Sequence, residues 1–144
     1  MRIAVGCDHA GFRLKPVIIE LLQAAGHEVL DQGTDGADSV DYPDFAAAVA
    51  KLVAAGEAEL GVLICGTGLG MSMAANRVPG VRAAVVTDPW SATQSRAHND
   101  CNVLCLGERV VGPGLARAIV QAWLDTPFEG GRHQRRIDLF DRQT

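Results

Sequence analysis

The sequence contains no apolar run close to the roughly 18 residues that a membrane-spanning helix needs. It also contains no low-complexity tract and no internal repeat. The apolar start, MRIAVGC, is interrupted by Gly6 and followed by Asp8, so it is too short for the core of a signal peptide. We therefore expect a single domain, residues 1–144, in the cytoplasm and without a membrane partner.

Paired cysteines and an excess of positive charge are absent as well. Cys7, Cys65, Cys101 and Cys105 include no CxxC pair, so their spacing predicts neither a zinc site nor a disulfide framework. The formal net charge of −4 disfavours a general nucleic-acid or membrane-binding surface. We expect four free thiols in a reducing cytosol, no metal and no nucleic-acid partner.

What the sequence does contain is an alternation of short apolar runs and helical patterns. Uniformly apolar strands separated by helices predict a parallel sheet that is covered on both faces. We expect a three-layer, doubly wound (Rossmann-like) α/β domain with five strands and an extra C-terminal helix. The strands are expected at residues 2–6, 28–31, 60–65, 81–87 and 102–106, and the helices at residues 12–25, 42–55, 69–76, 90–98, 113–124 and 132–142.

The fold class also predicts where a ligand would bind. In open parallel sheets, ligands bind beyond the carboxyl ends of the strands, at the switch in winding. The residues that directly follow strands are therefore the first candidates for a functional site. They are Asp8, His9, the stretch from Cys65 to Gly70, Asp88 and Arg109.

Three alternating glycines follow the third strand, in the stretch LICGTGLGMSMAANR. A dinucleotide-binding turn is one interpretation, because Asp88 ends the next strand about twenty residues later, where a ribose-binding acid would lie. The third glycine of that fingerprint is replaced by Met71, however, and no Gly-Lys-Ser/Thr follows for a Walker loop. Alternating glycines also allow consecutive N–H groups to face one point, which forms a cradle for a phosphate or an oxyanion.

Cys65 lies at the tip of the third strand, directly before this glycine loop. A free cysteine is most often a small buried apolar residue, and we expect that for Cys7. Cys65 differs in position, because its sulfur would face a helix N-terminus, which favours the thiolate. A base beside an oxyanion cradle is suited to removing a proton next to a carbonyl group.

Several charged residues outside the loop each have an ordinary structural explanation. Asp8 could cap the first helix, His98 could be favoured by a helix C-terminus, and the basic segment GGRHQRR could be a solvated helix face. Arg132 and Arg136, however, are i,i+4 neighbours that could reach one phosphate, and Arg109 adds a third guanidinium. Together, an acid–base pair, an oxyanion loop and a phosphate clamp predict a sugar-phosphate isomerase.

Six segments of the chain closely resemble the ribose-5-phosphate isomerase type B family, which also includes galactose-6-phosphate isomerase subunits. They are GCDHAGF, DYPDFA, GVLICGTGLGMSMAANR, SRAHNDCNVL, GERVVG and EGGRHQRR, in the same order and across nearly the whole chain. The resemblance implies a metal-free aldose–ketose isomerase without a cofactor, which acts on ribose 5-phosphate in the non-oxidative pentose phosphate pathway. It also implies a homodimer or a dimer of dimers, with sites shared between subunits.

The resemblance further implies a role for each matching position. Cys65 matches the cysteine that shuttles the proton, Thr67 the hydroxyl that helps protons move between the two substrate oxygens, and His98 the group that opens the furanose ring. The other matches hold the substrate. The enediolate is held by the amides of Gly66, Thr67, Gly68, Leu69 and Gly70; the sugar is lined by Asp8, Tyr42 and Asn99; and the phosphate ligands are His9, Arg109, Arg132 and Arg136.

Two alternatives stay open at the level of sequence. One is an isomerase of a six-carbon aldose 6-phosphate, such as allose or galactose 6-phosphate, because an extra carbon changes the depth of a pocket and not the motif residues. The other is a non-catalytic module that binds a nucleotide or a sugar phosphate.

Overall fold

The structure, a computed structural model, describes residues 1–143. The five strands are β1 (Arg2–Cys7), β2 (Glu28–Asp31), β3 (Leu60–Cys65), β4 (Ala83–Val85) and β5 (Val103–Gly107). The six helices are α1 (Lys15–Ala24), α2 (Tyr42–Ala54), α3 (Leu69–Ala75), α4 (Pro89–Ala97), α5 (Pro113–Asp125) and α6 (Arg132–Asp141). Among residues 1–143, no helix combines the length and the apolar character needed to cross a membrane.

All strand pairs are parallel, and the sheet order is β2-β1-β3-β5-β4. The central strand β3 is buried along its whole length. Its alternate side chains point to opposite faces: Val62 and Ile64 pack in one core with Trp123, while Leu63 and Cys65 pack in the other with Met71. The predicted fold, a three-layer α/β domain with helices on both faces and an extra C-terminal helix, is confirmed.

Two elements differ from their predicted bounds by more than one residue, the fourth strand and the first helix. The fourth strand is shorter, because the backbone N–H of Arg82 donates to the Asn102 side chain at 2.7 Å instead of to a neighbouring strand. The first helix begins at Lys15, because the Asp8 carboxylate accepts the N–H groups of Ala10 and Gly11 at 2.9 and 3.2 Å and holds a turn there. Asp8 therefore caps the turn that precedes the first helix and not the helix itself.

Candidate active site

The carboxyl ends of β1, β3 and β5 lie side by side, and the segments that follow them meet at one edge of the sheet. The N–H of Asp8 donates to the carbonyl of Ile64 at 3.2 Å, and the N–H of Glu108 donates to the carbonyl of Cys65 at 2.9 Å. These bonds fix the loops that carry Asp8, Cys65 and Arg109 against one another. We call this the carboxyl edge.

The sulfur of Cys65 accepts a hydrogen bond from the backbone N–H of Gly68 at 3.1 Å. This donor fixes the position of the sulfur beside the backbone amides of the loop. Next to it, the N–H of Leu69 donates to the Thr67 hydroxyl oxygen at 3.2 Å, and the Thr67 side chain is exposed. The loop therefore presents a sulfur, a hydroxyl and oriented amides in one place.

Two of the loop glycines are required by geometry. Gly68 precedes α3 with φ +82°, a left-handed conformation that costs little only for glycine. At Gly70, a Cβ would come within 2.6 Å of the Tyr42 ring. The missing side chain lets Tyr42, the first residue of α2, lie directly on the loop, so the structure brings Tyr42 to the carboxyl edge.

His9 and Arg109 add cationic or donor groups at the same edge. Nδ1 of His9 accepts the N–H of Val40 at 3.2 Å, which leaves the ring proton on Nε2. Nη1 of Arg109 lies 3.4 Å from the point that a Cβ of Gly66 would occupy. Two donors thus lie beside the glycine loop, the Nε2–H of His9 and the guanidinium of Arg109. An anion-binding site requires donors of this kind.

The residues that favoured a dinucleotide site have other uses in the structure. Both carboxylate oxygens of Asp88 are bound by Ser91, from its N–H at 2.7 Å and its hydroxyl at 2.8 Å, so Asp88 caps α4. Met71 is fully buried between α3 and the sheet. Neither residue is placed to contact a ribose or a pyrophosphate.

The other three cysteines are held as thiols. Burial raises the pKa of Cys7 to about 11. Burial also raises the pKa of Cys101, and it raises that of Cys105 well above the usual range. All three are at most 1% exposed, whereas Cys65 is 6% exposed and has an amide donor on its sulfur. Cys65 is thus the thiol best placed for chemistry.

Four predicted site residues lie elsewhere, at the amino ends of the strands. His98 directly follows α4 and stacks on His133, with ring centroids 4.2 Å apart and an interplanar angle of 12°. Asn99 helps to line a cavity of about 370 Å³ beside the start of β4. Arg132 and Arg136 are exposed on α6, which carries His133. We call this the amino edge.

The two edges are too far apart to act on one sugar within one chain. The register pairs Gly61 with Val103 at one end of β3 and Cys65 with Gly107 at the other. At about 3.3 Å per residue, Gly61 and Cys65 are roughly 13 Å apart along β3. His98 precedes Val103, which pairs with Gly61, so it lies at the end of the sheet opposite Cys65. Because a direct hydrogen bond spans about 3 Å, Cys65 and His98 of one chain cannot both contact neighbouring atoms of a sugar.

Two residues at the amino edge were not singled out from the sequence. An oxygen of Glu129 lies 3.4 Å from Nε2 of His133 and 3.9 Å from Nε2 of His98. Glu129 and His133 are four residues apart across Gly130-Gly131, and that spacing was the only sequence signal for them. The stacking on His98 depends on tertiary packing and could not be read from the sequence.

The chain is similar to known proteins of one family. A family model described as Ribose/Galactose Isomerase matches residues 3–140. A relative from Escherichia coli (strain K12) named ribose-5-phosphate isomerase B is 54% identical over 137 residues, which cover 95% of this chain and 92% of the relative.

Two solved structures extend this comparison. A ribose-5-phosphate isomerase B structure from Clostridium thermocellum superposes with a TM-score of 0.98 at 53% identity, covering 99% of this chain and 97% of the other. A ribose-5-phosphate isomerase B structure from Mycoplasma genitalium with bound ribulose 5-phosphate superposes with a TM-score of 0.95 at 46% identity, with coverage of 99% and 95%.

The contrast among the four thiols leads to a labelling prediction. Under native conditions, iodoacetamide should alkylate Cys65 before Cys7, Cys101 and Cys105, because only the thiolate reacts and the other three are buried thiols. Peptide mass spectrometry over a time course measures the order. Labelling of a core cysteine ahead of Cys65 would contradict the description of the site.

Proposed function

Because the chain belongs to the ribose/galactose isomerase family, we propose that it interconverts ribose 5-phosphate and ribulose 5-phosphate through a cis-enediolate. The names of its relatives and the bound ribulose 5-phosphate of the Mycoplasma genitalium structure support a five-carbon substrate over the six-carbon alternative. They also support an enzyme over a non-catalytic binding module. The observation that carries the proposal is the Gly68 N–H on the Cys65 sulfur.

In the central step, the Cys65 thiolate removes the C2 proton of the open-chain aldose. Negative charge then develops on the substrate oxygens, and the amides from Gly66 to Gly70 stabilise it. Cys65 returns the proton at C1, which gives the ketose. A positioned base contributes about 10² to 10⁴ in rate and an oxyanion donor about 10² to 10³, so protein groups alone can carry the reaction.

Thr67 supports this step through its hydroxyl group. Because the Leu69 N–H donates to its oxygen at 3.2 Å, the hydroxyl is oriented and its own proton can point toward the substrate. We assign it to proton movement between O1 and O2. Asp8 and Tyr42, at the same edge, line the sugar.

The complete site needs two copies of the chain. His98 takes the proton of the C1 hydroxyl and delivers it to the ring oxygen as the bond between C1 and that oxygen breaks, which gives the open aldehyde, but it lies at the opposite edge from Cys65 within one chain. We therefore assign the smallest active unit to a homodimer, in which His98 and Asn99 of the partner subunit face the carboxyl edge. A dimer of dimers would repeat the same unit.

An exposed apolar surface beside the glycine loop supports such an interface. Leu69 and Met73, on successive turns of α3, are 53% and 68% exposed. Burying one such side chain contributes about 1.5 to 3 kcal/mol. A partner that covers α3 would gain this energy and would also exclude water from the neighbourhood of Cys65.

The phosphate group would be bound from both subunits. His9 and Arg109 lie at the carboxyl edge, and Arg132 and Arg136 of the partner subunit would approach them from α6. Among residues 1–143, neither Arg132 nor Arg136 has a carboxylate partner, so both guanidinium groups are available for an anion. This remote contact fixes C2 beside the sulfur.

We also assign the protein to the cytoplasm. The four cysteines are free thiols, and a thiolate base at Cys65 needs a reducing compartment to remain reduced.

Replacement of the sulfur tests the proposed base directly. Cys65→Ala should lose about 10³-fold or more in kcat while it still binds ribose 5-phosphate, because the variant lacks the base and keeps the phosphate ligands. Solvent deuterium exchange at C1 of ribulose 5-phosphate should be lost in parallel. Cys7→Ala is the matched control, since it removes the corresponding atom from the neighbouring strand end and should retain exchange. Substantial activity in Cys65→Ala would assign the base to another group.

Replacement of a clamp arginine tests the phosphate site. Arg136→Ala should raise KM and the inhibition constant of inorganic phosphate by about 10- to 100-fold. This change corresponds to the loss of one hydrogen bond to a charged group. Arg135→Ala, next to it on α6, is the control and should change neither quantity. Unchanged KM and phosphate inhibition in Arg136→Ala would remove Arg136 from the site.

A further inference from the structure

We propose, building on the proposed function, that His133 and Glu129 are positioning residues for His98: His133 is a stacking platform for its ring, and Glu129 is the carboxylate that stabilises the proton it carries. Both lie beside His98 at the amino edge, and within one chain neither lies near Cys65 or the glycine loop. Their effect is therefore confined to the step that His98 performs, the opening of the furanose ring.

The platform is built from fixed parts. The ring of His98 lies parallel to that of His133 at 4.2 Å. The side chain of His98 is 39% exposed, whereas that of His133 is 6% exposed and is anchored with the buried Ile137 on α6. The N–H of Glu129 donates to the carbonyl of Ala97 at 3.0 Å, which ties the segment before α6 to the end of α4. A partly exposed ring thus rests on a buried one.

His133 is suited to remain neutral in this position. Burial lowers the pKa of His133, and the positive charges of His98, Arg132 and Arg136 act in the same direction, while Glu129 opposes them. Nε2 of His133 is buried and has no hydrogen-bond partner among residues 1–143. A neutral ring beneath His98 avoids the repulsion of two stacked cations when His98 takes a proton.

Glu129 lies close enough to act on His98 as well as on His133, to which it is nearer. Its carboxylate oxygen lies 3.9 Å from Nε2 of His98, within the range of an ion pair. Because His133 stays neutral, the carboxylate can stabilise the positive charge that appears on His98 during ring opening. The side chain of Glu129 is 57% exposed, so it can also close the remaining gap by rotation.

A metal ion is a competing explanation for this cluster. The three ligand atoms lie within 4.8 Å of one another, close enough for one cation. An imidazole binds a metal through the lone pair in its ring plane, however, and the two rings are only 12° from parallel. Their lone pairs run side by side instead of converging. The geometry therefore favours stacking and charge stabilisation over metal binding.

Two reactions separate ring opening from proton transfer at carbon. Isomerisation of ribose 5-phosphate requires the ring to open, whereas exchange of the C1 proton of ribulose 5-phosphate with solvent does not. Both are measured for the intact enzyme and for His133→Ala, His133→Phe and Glu129→Gln. His27→Ala, at the histidine directly before β2, is the control and should change neither reaction.

The proposal predicts a split between the two reactions. His133→Ala and Glu129→Gln should each lower ribose 5-phosphate turnover by about tenfold or more, as misplacement of a catalytic group does, while C1 exchange stays within about twofold. His133→Phe should recover most of the turnover, because a phenyl ring keeps the stack and needs no proton. A purely structural role of His133 would not produce that split or that rescue.

Other results would overturn the proposal. They are an equal loss of exchange and turnover in Glu129→Gln, no rescue by His133→Phe, unchanged turnover in Glu129→Gln, or loss of wild-type turnover after treatment with a chelator. Failure of the proposed function itself has a different signature, because the wild-type protein would then catalyse neither reaction.

Discussion

The structure depends on the register of three parallel strands, β1, β3 and β5, which end at the same edge of the sheet. β3 is buried on both faces and is paired along its whole length, so Cys65 cannot shift relative to its neighbours. The same register places the turn after β1 and the turn after β5 on either side of the Cys65 loop. A rigid core thus presents one thiol to the Gly68 amide at hydrogen-bond distance. Preorganised donors of this kind need no rearrangement when charge develops.

The parallel arrangement also separates the site into two halves. Helices that connect parallel strands run back across the sheet, so their carboxyl ends lie at the amino edge. His98 follows α4 and is stacked by α6, and both helices bring their functional residues to that edge. A single chain can therefore hold the proposed base or the proposed ring-opening group near a substrate, but not both. The proposed dimer, in which two copies pair with opposite edges together, would bring both groups to one substrate.

Much of this could be predicted from the sequence. Uniform apolar runs and helix-terminal glycine or proline predicted every strand and helix, and the sequence order after β3 predicted the Cys65 loop. One exception is local, the turn that Asp8 holds through the amides two and three residues later. The others are non-local: the Arg82 amide pairs with Asn102, and His133 stacks on His98 across 35 residues of chain. The separation of His98 from Cys65 follows from helix direction in a parallel sheet, which motif matching along the chain does not consider.

The central claim, that each active site combines Cys65 of one subunit with His98 of the other, is tested by a mixed dimer. Cys65→Ala and His98→Asn chains carrying different affinity tags are co-expressed, and the heterodimer is isolated by two successive affinity steps. In that heterodimer one site contains both substitutions and the other contains none, so ribose 5-phosphate turnover should return to about half of the wild-type value per dimer. If each chain formed its own site, both sites would carry one defect, and the heterodimer would be as inactive as the two parent variants.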